Sequence, residues 1–411
     1  MNAHILGLVR LRGVALKLAL AQGASGLIGG AYTPFFGAWL AWRGMTPNQI
    51  GTVLALGMLF RVLVAPVTGL IADARNDRRG MMLLLYAVMF AGYGALNWAS
   101  GAVLILAVVV PANVAGGAIT PLLESVSVRL SERFGFDYGH VRLWASSLFV
   151  LGNVLAGFLV SKFGLIVIAP WLTVALALNF ISVYALPSPQ ATRAVRSFVP
   201  SLRATLAEAN ELLRSGTFVI FLLAASLDQG SHAFYYGYGG LHWRTIGYSG
   251  ALIGIIWPLG VLGEIALMSM SLHVFRALGA TRLLLLGGLG CVLRWAILAF
   301  DPPLPFVIFA QLLHGATFAM AHLGAMYFIL KAVPPRLAAT AQSLYAVCSS
   351  GLALGLATFA SGPLYAAFGG KTYLLMSAMG VCSVIFSFWL TRAWHGMRVT
   401  RTVTEEAIDT I

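Results

Sequence analysis

Long apolar blocks, rather than alternating or amphipathic runs, dominate the chain. They fall near 14–41, 48–72, 80–99, 102–128, 142–163, 165–187, 216–241, 249–275, 282–300, 304–331, 338–366 and 371–394. Crossing the hydrocarbon core of a bilayer takes roughly 20 apolar residues per helix, so the pattern predicts about twelve transmembrane helices. A single long polar stretch, Pro187–Ser215, interrupts them with three prolines and four arginines and divides the helices six and six. Within it, Leu202–Leu213 reads either as a surface helix or as plain linker. The division predicts an N-terminal six-helix bundle over 1–187, a linker over 188–215, a second bundle over 216–396 and a tail over 397–411. The fold class is all-α membrane protein.

Composition sharpens this picture. Of 411 residues, 59% are hydrophobic and only 9% are charged, too few charges to clothe a soluble domain of this size. The net charge of +13 would suit nucleic acid, but its distribution points elsewhere. Twenty of the 26 Lys and Arg residues fall in the termini and every second loop, and the opposite loops hold only Arg43, Lys162, Arg244 and Lys371. Such a bias orients a membrane protein with its basic loops inward. Both termini and the linker are therefore expected in the cytoplasm of a bacterium, with the chain in its inner membrane and no nucleic-acid partner. Cys291, Cys348 and Cys382 lie singly in apolar stretches without a CxxC pair, and are expected to be buried and inert. The first apolar block is too long for a signal-peptide core and has no convincing cleavage site, so it is expected to remain as a helix.

The two halves carry a repeat. Ile50-Gly51 precedes Arg61 by the same spacing with which Ile253-Gly254 precedes Glu264, and upstream stand Phe35-Phe36-Gly37 and Tyr235-Tyr236-Gly237. Gly117-Ala118 before Glu124 echoes Gly315-Ala316 before His322. Repeated halves set ionisable groups at matching depths around a cavity. The ionisable residues inside spans are Arg61, Glu124, Asp228, His232, Glu264, Arg294, His314 and His322, each costing about 2.5–3.5 kcal/mol to insert and so needing a reason. Helical spacing puts Asp228, His232, Tyr235 and Tyr236 on one face. Gln311, His314, Phe318 and His322 form a second stripe, and Arg142, Ser146, Phe149 and Asn153 a third. Along the first span, Gln22, Ser25, Gly26, Gly29, Gly30 and Thr33 form a small-residue face suited to close helix packing.

Between spans two and three runs Gly69-Leu-Ile-Ala-Asp73-Ala-Arg75-Asn76-Asp77-Arg78-Arg79. It resembles the major facilitator signature: a glycine, an acid four residues on, a turn, then paired basics. The likeness implies a conformational latch of Gly69, Asp73, Arg78 and Arg79, with Gly69 at a close helix contact. Asn76 stands where the family has glycine, and asparagine tolerates a left-handed turn. Ala74 replaces a usual base.

Further motifs narrow the likeness. Asp137-Tyr-Gly-His-Val-Arg142-Leu-Trp144-Ala-Ser146 resembles the entry to helix five of the phenylpropionate permease family, relatives of the lactose permease. Gln229-Gly-Ser-His232-Ala-Phe-Tyr235-Tyr236-Gly237, Leu262-Gly-Glu264, Leu293-Arg294-Trp295 and Gln311-Leu-Leu-His314 follow in the same order. The resemblance implies the major facilitator fold, about twelve helices in two pseudo-symmetric six-helix bundles. It also implies a secondary transporter rather than an enzyme. By the lactose permease pattern, Glu124 and Arg142 match the substrate-site acid and arginine, and Phe149 the ring that stacks on substrate. Glu264, Arg294 and His314 match the proton-coupling cluster. Thr317 stands where a proton-carrying carboxylate is expected, and Gln311 replaces a lysine that would pair with Asp228.

The expected function is therefore proton-coupled symport of a small organic substrate such as an aromatic monocarboxylate. Arg142 and Arg294 would grip the carboxylate through a planar fork, and Phe149, Trp144, Tyr235 and Tyr236 would hold the ring. Glu264, with His314, Arg294 and Asp228, would handle the proton. Alternatives are a sugar or nucleoside symporter, a drug exporter and, less favoured, an intramembrane transferase or a receptor. Short loops and ionisable residues scattered mid-span disfavour a transferase. The partners expected are the substrate, protons and the lipid bilayer, with the chain a monomer that uses no cofactor or metal.

Overall fold

The computed structural model describes residues 3–187 and 198–399. Residues 188–197 of the expected linker, with Arg193 and Arg196, lie outside the described residues, as do the two termini and the tail from residue 400. The helices of the first part are α1 (Ala3–Trp42), α2 (Pro47–Ala74), α3 (Arg78–Ala95), α4 (Ala102–Phe134), α5 (Tyr138–Phe163), α6 (Ile168–Tyr184) and α7 (Phe198–Leu213). There follow α8 (Gly216–Gly230), α9 (Ala233–Thr245), α10 (Gly250–Ile256), α11 (Leu259–Ser269) and α12 (Ser271–Leu298). The last are α13 (Leu304–Leu312), α14 (Ala321–Ala332), α15 (Ala338–Ala346), α16 (Leu354–Phe368) and α17 (Tyr373–Ala393). Two wider π-helical stretches, Gly315–Met320 and Val347–Ala353, continue α13 into α14 and α15 into α16.

Among the described residues, nine helical runs are individually long and apolar enough to cross a membrane. The difference from twelve has three causes. Pro335–Ala393 counts as one run of 59 residues, which as a straight helix would measure about 88 Å, nearly three times the roughly 30 Å of hydrocarbon. Gly369, at φ 56°, turns it into two legs. Arg78 and Arg79 at the start of α3 dilute its hydropathy. The third case is the leg formed by α8 and α9, which the amphipathic α7 meets at a bend of 95°. Of the two readings of the linker, the described part is the helix.

The chain forms two compact units. Unit 1 comprises residues 1–198 and 236–258, unit 2 residues 199–235 and 259–411. The chain passes from one to the other three times: between residues 198 and 199, near the turn at Ser231-His232 between α8 and α9, and at Trp257-Pro258 between α10 and α11.

In unit 1, α1 packs along α5 and α6, α3 along α4 and α6, α2 along α4, and α10 along α5. The small-residue face of α1 makes the first contact possible. A Cβ at Gly30 would lie 2.5 Å from the Phe149 carbonyl oxygen, and one at Gly26 would strike the Ala145 carbonyl. The polar members of that face reach across as hydrogen bonds, Gln22 to Ser127 at 3.1 Å and Asn179 to Ser25 at 2.8 Å. The repeat partners Gly37 and Gly237 touch, since a Cβ on the first would collide with the carbonyl of the second.

In unit 2, α12 packs on α17 and α14, and α8 on α17. Its apolar core gathers Phe218, Phe221, Phe328, Tyr345 and Leu390, with Phe221 and Phe328 stacked at 4.4 Å. Leu212 of α7 joins this core. Glu211 accepts two bonds from Arg336, at 2.9 and 2.5 Å, and Glu208 accepts one from Thr340. Cys291 is buried, as expected, and Cys348 half-buried. Cys382, however, lies exposed on α17, on the side of the helix that carries the exposed apolar residues Val381, Ile385 and Trp389.

Candidate functional site

Unit 1 carries a half-open cavity of about 420 Å³ lined by α1, α2, α3 and α4. Arg61 lines it, and so do Tyr32, Tyr86, Tyr93 and Asn113. The hydroxyls of Tyr93 and Tyr32 both donate to Asn113 Oδ1, at 2.5 and 2.9 Å. That double acceptance fixes the amide's orientation and leaves its Nδ2 as a donor. The stem of Arg61 lies against Gly117, where a Cβ would come within 2.5 Å of Arg61 Cγ. Hydropathy marks Arg61 as costly but assigns it no role, and the tyrosines and Asn113 escape sequence reasoning entirely. A cavity assembled from four helices leaves no periodic signature on any one of them. The one local signal is the polar face of α1, on which Tyr32 continues Ser25 and Gly29.

The acid–arginine pair is formed: Arg142 Nε lies 3.1 Å from Glu124 Oε1, and Tyr138 donates to Glu124 Oε2. Arg142 and Trp144 are exposed on α5, whereas Phe149 is half-buried with its ring against Gly29. Asp137 caps α5 by accepting from the Gly139 amide at 2.6 Å, and that bond, with His140 at 3.0 Å, holds its carboxyl below the usual range. In the signature turn, Asp73 pairs with Arg78 at 2.7 Å. Arg78 also reaches Ser125, and Arg79 the Tyr184 carbonyl, so the paired basics tie the turn to α4 and α6. Asn76 adopts φ 55°, the left-handed conformation expected of it. The close helix contact expected at Gly69 is absent: among the described residues nothing lies within 4 Å of a Cβ placed there.

Unit 2 holds a different kind of site. Arg294 is 0% exposed. Its Nη1 lies 2.8 Å from His314 Nδ1 and 3.2 Å from Thr317 Oγ1, and its Nη2 donates to Gln311 Oε1 at 3.1 Å. The rings of Tyr235 and Trp295 flank the guanidinium at 4.8 and 4.4 Å, and Gln311 Nε2 donates to the Tyr235 hydroxyl at 2.7 Å. A guanidinium has only donors, so His314 Nδ1 accepts and the ring's proton sits on Nε2. Thr317 Oγ1 in turn lies 3.1 Å from His232 Nε2. Thr317, at the position where the family pattern has a carboxylate, thus links an arginine to a histidine. From Trp295 a second chain runs to Ser231 at 2.9 Å, on to Cys291 at 3.2 Å and to Asp228 Oδ2 at 3.5 Å.

Asp228 is 1% exposed, and its Oδ1 has no hydrogen-bond partner among the described residues. Asp228, His232 and Cys291 offer donor atoms within 4.8 Å of one another, spacing that would admit a metal ion. Both ring nitrogens of His232 are, however, engaged by Thr317 and the Asp228 carbonyl, so the trio reads as a hydrogen-bonded polar core. Glu264 is half-buried on α11, where a Cβ on the neighbouring Gly263 would lie 2.8 Å from the Leu312 carbonyl, one turn before Gly315. The single face expected for Asp228, His232, Tyr235 and Tyr236 is broken by the turn at Ser231-His232, and Tyr236 belongs to unit 1.

Residues 25–376 match the MFS_1 like family. The chain is 31% identical over 86% of its length to the "Probable 3-phenylpropionic acid transporter" of Escherichia coli K12, covering 91% of that protein. It is 28% identical to the maltose permease of Geobacillus stearothermophilus, over 87% of this chain and 88% of that one. In three dimensions it resembles the nucleoside transporter NupG, with a TM-score of 0.78 at 16% identity over 92% of this chain and 98% of that chain. The D-xylose-proton symporter gives 0.68 at 15%, over 95% and 98%. At those identities the likeness shows the fold, which is that of major facilitator transporters. Helices of membrane-spanning length and a family match over most of its length make this chain a multi-pass membrane transporter of the MFS_1 like family.

Proposed function

We propose that the chain is a proton-coupled symporter of a small aromatic monocarboxylate, working as a monomer in a bacterial inner membrane with both termini cytoplasmic. The observation that carries the proton coupling is the buried network of unit 2, in which Arg294 is joined to His314, Thr317 and Gln311. Such a network transmits a change of protonation because each member's donor or acceptor role fixes its neighbour's. Three carboxyl groups compete for the proton, and one of them, Glu124, is bonded to Arg142 and Tyr138. Asp228 is sealed against Cys291, whereas Glu264 is only half-buried. A carrier must meet water to load and unload, which favours Glu264, with His314 and Arg294 tuning it and Asp228 in reserve. The basic loops support the orientation. The relative named for 3-phenylpropionic acid supports the substrate class.

On this reading, Glu124 and Arg142 exchange their mutual bond for substrate as the carrier cycles, with Trp144 and Phe149 beside them, and the Asp73–Arg78 pair latches one state. The test is Glu264→Gln in proteoliposomes, with accumulation and counterflow measured side by side. Accumulation driven by a proton gradient should vanish while counterflow of 3-phenylpropionate persists, because exchange needs no net deprotonation. Unimpaired uphill uptake would move the role to Asp228 or Glu124. A wild-type chain that carries only sugars or nucleosides would replace the substrate class.

A further inference from the structure

We infer that the cavity of unit 1 is a binding site for a small organic monoanion, with Arg61 engaging the acid group and Tyr32, Tyr86 and Tyr93 facing the remainder of the molecule. The inference adds a second subsite to the one proposed at Glu124, Arg142, Trp144 and Phe149, and rests on the symporter reading for the aromatic character of the ligand alone. Its first support is size, since about 420 Å³ lies within the range of ligand pockets, roughly 300–1,000 Å³. The second is charge: among the described residues that line the cavity, Arg61 is a cation and there is no carboxylate. In an apolar surrounding such a field selects an anion, and a planar fork matches a carboxylate with two parallel bonds.

The third support is preorganisation. The Arg61 stem rests in the hollow left by Gly117, and Asn113 is held by two tyrosine hydroxyls with its Nδ2 left to donate. Gly57 makes room for Asn113 in the same way, its Cβ position being 2.5 Å from Asn113 Cβ. Met58 and Met89 supply adaptable apolar wall. The other two candidate arginines line no part of this cavity.

The test uses the full-length protein in proteoliposomes with three probes: 3-phenylpropionate, its neutral amide, and an aliphatic monocarboxylate of similar length. Arg61→Gln should weaken the acid by about 10–100-fold, the worth of a charge-assisted bond, and leave the amide within about two-fold. Gly117→Ala, which keeps every charge but displaces the Arg61 stem, should reproduce the loss in milder form. Should Arg61→Gln fail to fold, a photoreactive aromatic acid on the wild-type chain decides instead, with label expected on peptides around Tyr32, Met58 or Met89. Normal acid binding in both folded variants, or label confined to Trp144–Phe149 or to unit 2, would overturn the site and leave the symport reading intact. Equal acceptance of the aliphatic acid with dependence on Arg61 would uphold the site and remove the aromatic restriction. Binding of neutral solutes only would end both.

Discussion

Arg61 and Arg294 are the same residue at the same kind of place, the middle of an apolar span, yet the two units treat them in opposite ways. Unit 1 lays Arg61 along the wall of a cavity, over a glycine, with hydroxyl and amide groups nearby. Unit 2 wraps Arg294 in two aromatic rings and gives its nitrogens to Gln311, His314 and Thr317. In unit 2 the charge is enclosed by side chains, whereas in unit 1 it stands at the wall of a hollow. A mid-span arginine therefore has no fixed meaning until its neighbours are known.

The contrast can be broken most directly at Arg294. Replacing it with methionine leaves Gln311 Oε1, His314 Nδ1 and Thr317 buried without their donor, and each orphaned group costs about 1–3 kcal/mol. Arg294→Met should destabilise the protein by on the order of 3–5 kcal/mol, seen as loss of monodisperse protein after mild heating. Arg61→Met should show itself chiefly as weakened acid binding. Acid binding unchanged by Arg61→Met would erase the distinction. A smaller contrast lies at the helix ends. Glu211 and Arg336 are partly exposed, so Glu211→Gln should lower stability by no more than about 1 kcal/mol. The smallest effect is expected at Asn76→Gly, within ~0.5 kcal/mol by thermal unfolding, because glycine accepts the left-handed turn at no steric cost.

The parts of the molecule written in local patterns are legible in the sequence. Span positions follow from block hydropathy, the α1–α5 contact from the glycine face, and the turn at Asn76 from the residue's tolerance of positive φ. The Glu124–Arg142 pair is legible only through the family resemblance. What stays hidden depends on residues far apart in the chain. The cavity draws on α1 through α4, and only the polar face of α1 hints at its share. Gly69 reads as a close contact that the fold does not make, because a glycine on a helix face signals permission for contact and not contact itself. The face from Asp228 to Tyr236 presumes an unbroken helix, but the chain turns at Ser231-His232, where neither residue is a glycine or proline to mark it. Thr317 reads as a missing function and proves to be a connector, which only the positions of His232 and Arg294 reveal.

The three thiols have a practical consequence. Cys382 is open on α17, Cys348 is half-covered and Cys291 is sealed inside unit 2 beside Asp228. The wild-type chain thus carries its own clock for reagents that light up on reaction with sulfur. Cys382, in the middle of a membrane-spanning helix, meets hydrocarbon where the reactive thiolate scarcely forms, so it gives little signal, and Cys291 would stay silent until the polar core of unit 2 opens. The lag before Cys291 reacts times that opening without an engineered label, and a ligand that tightens unit 2 should lengthen it.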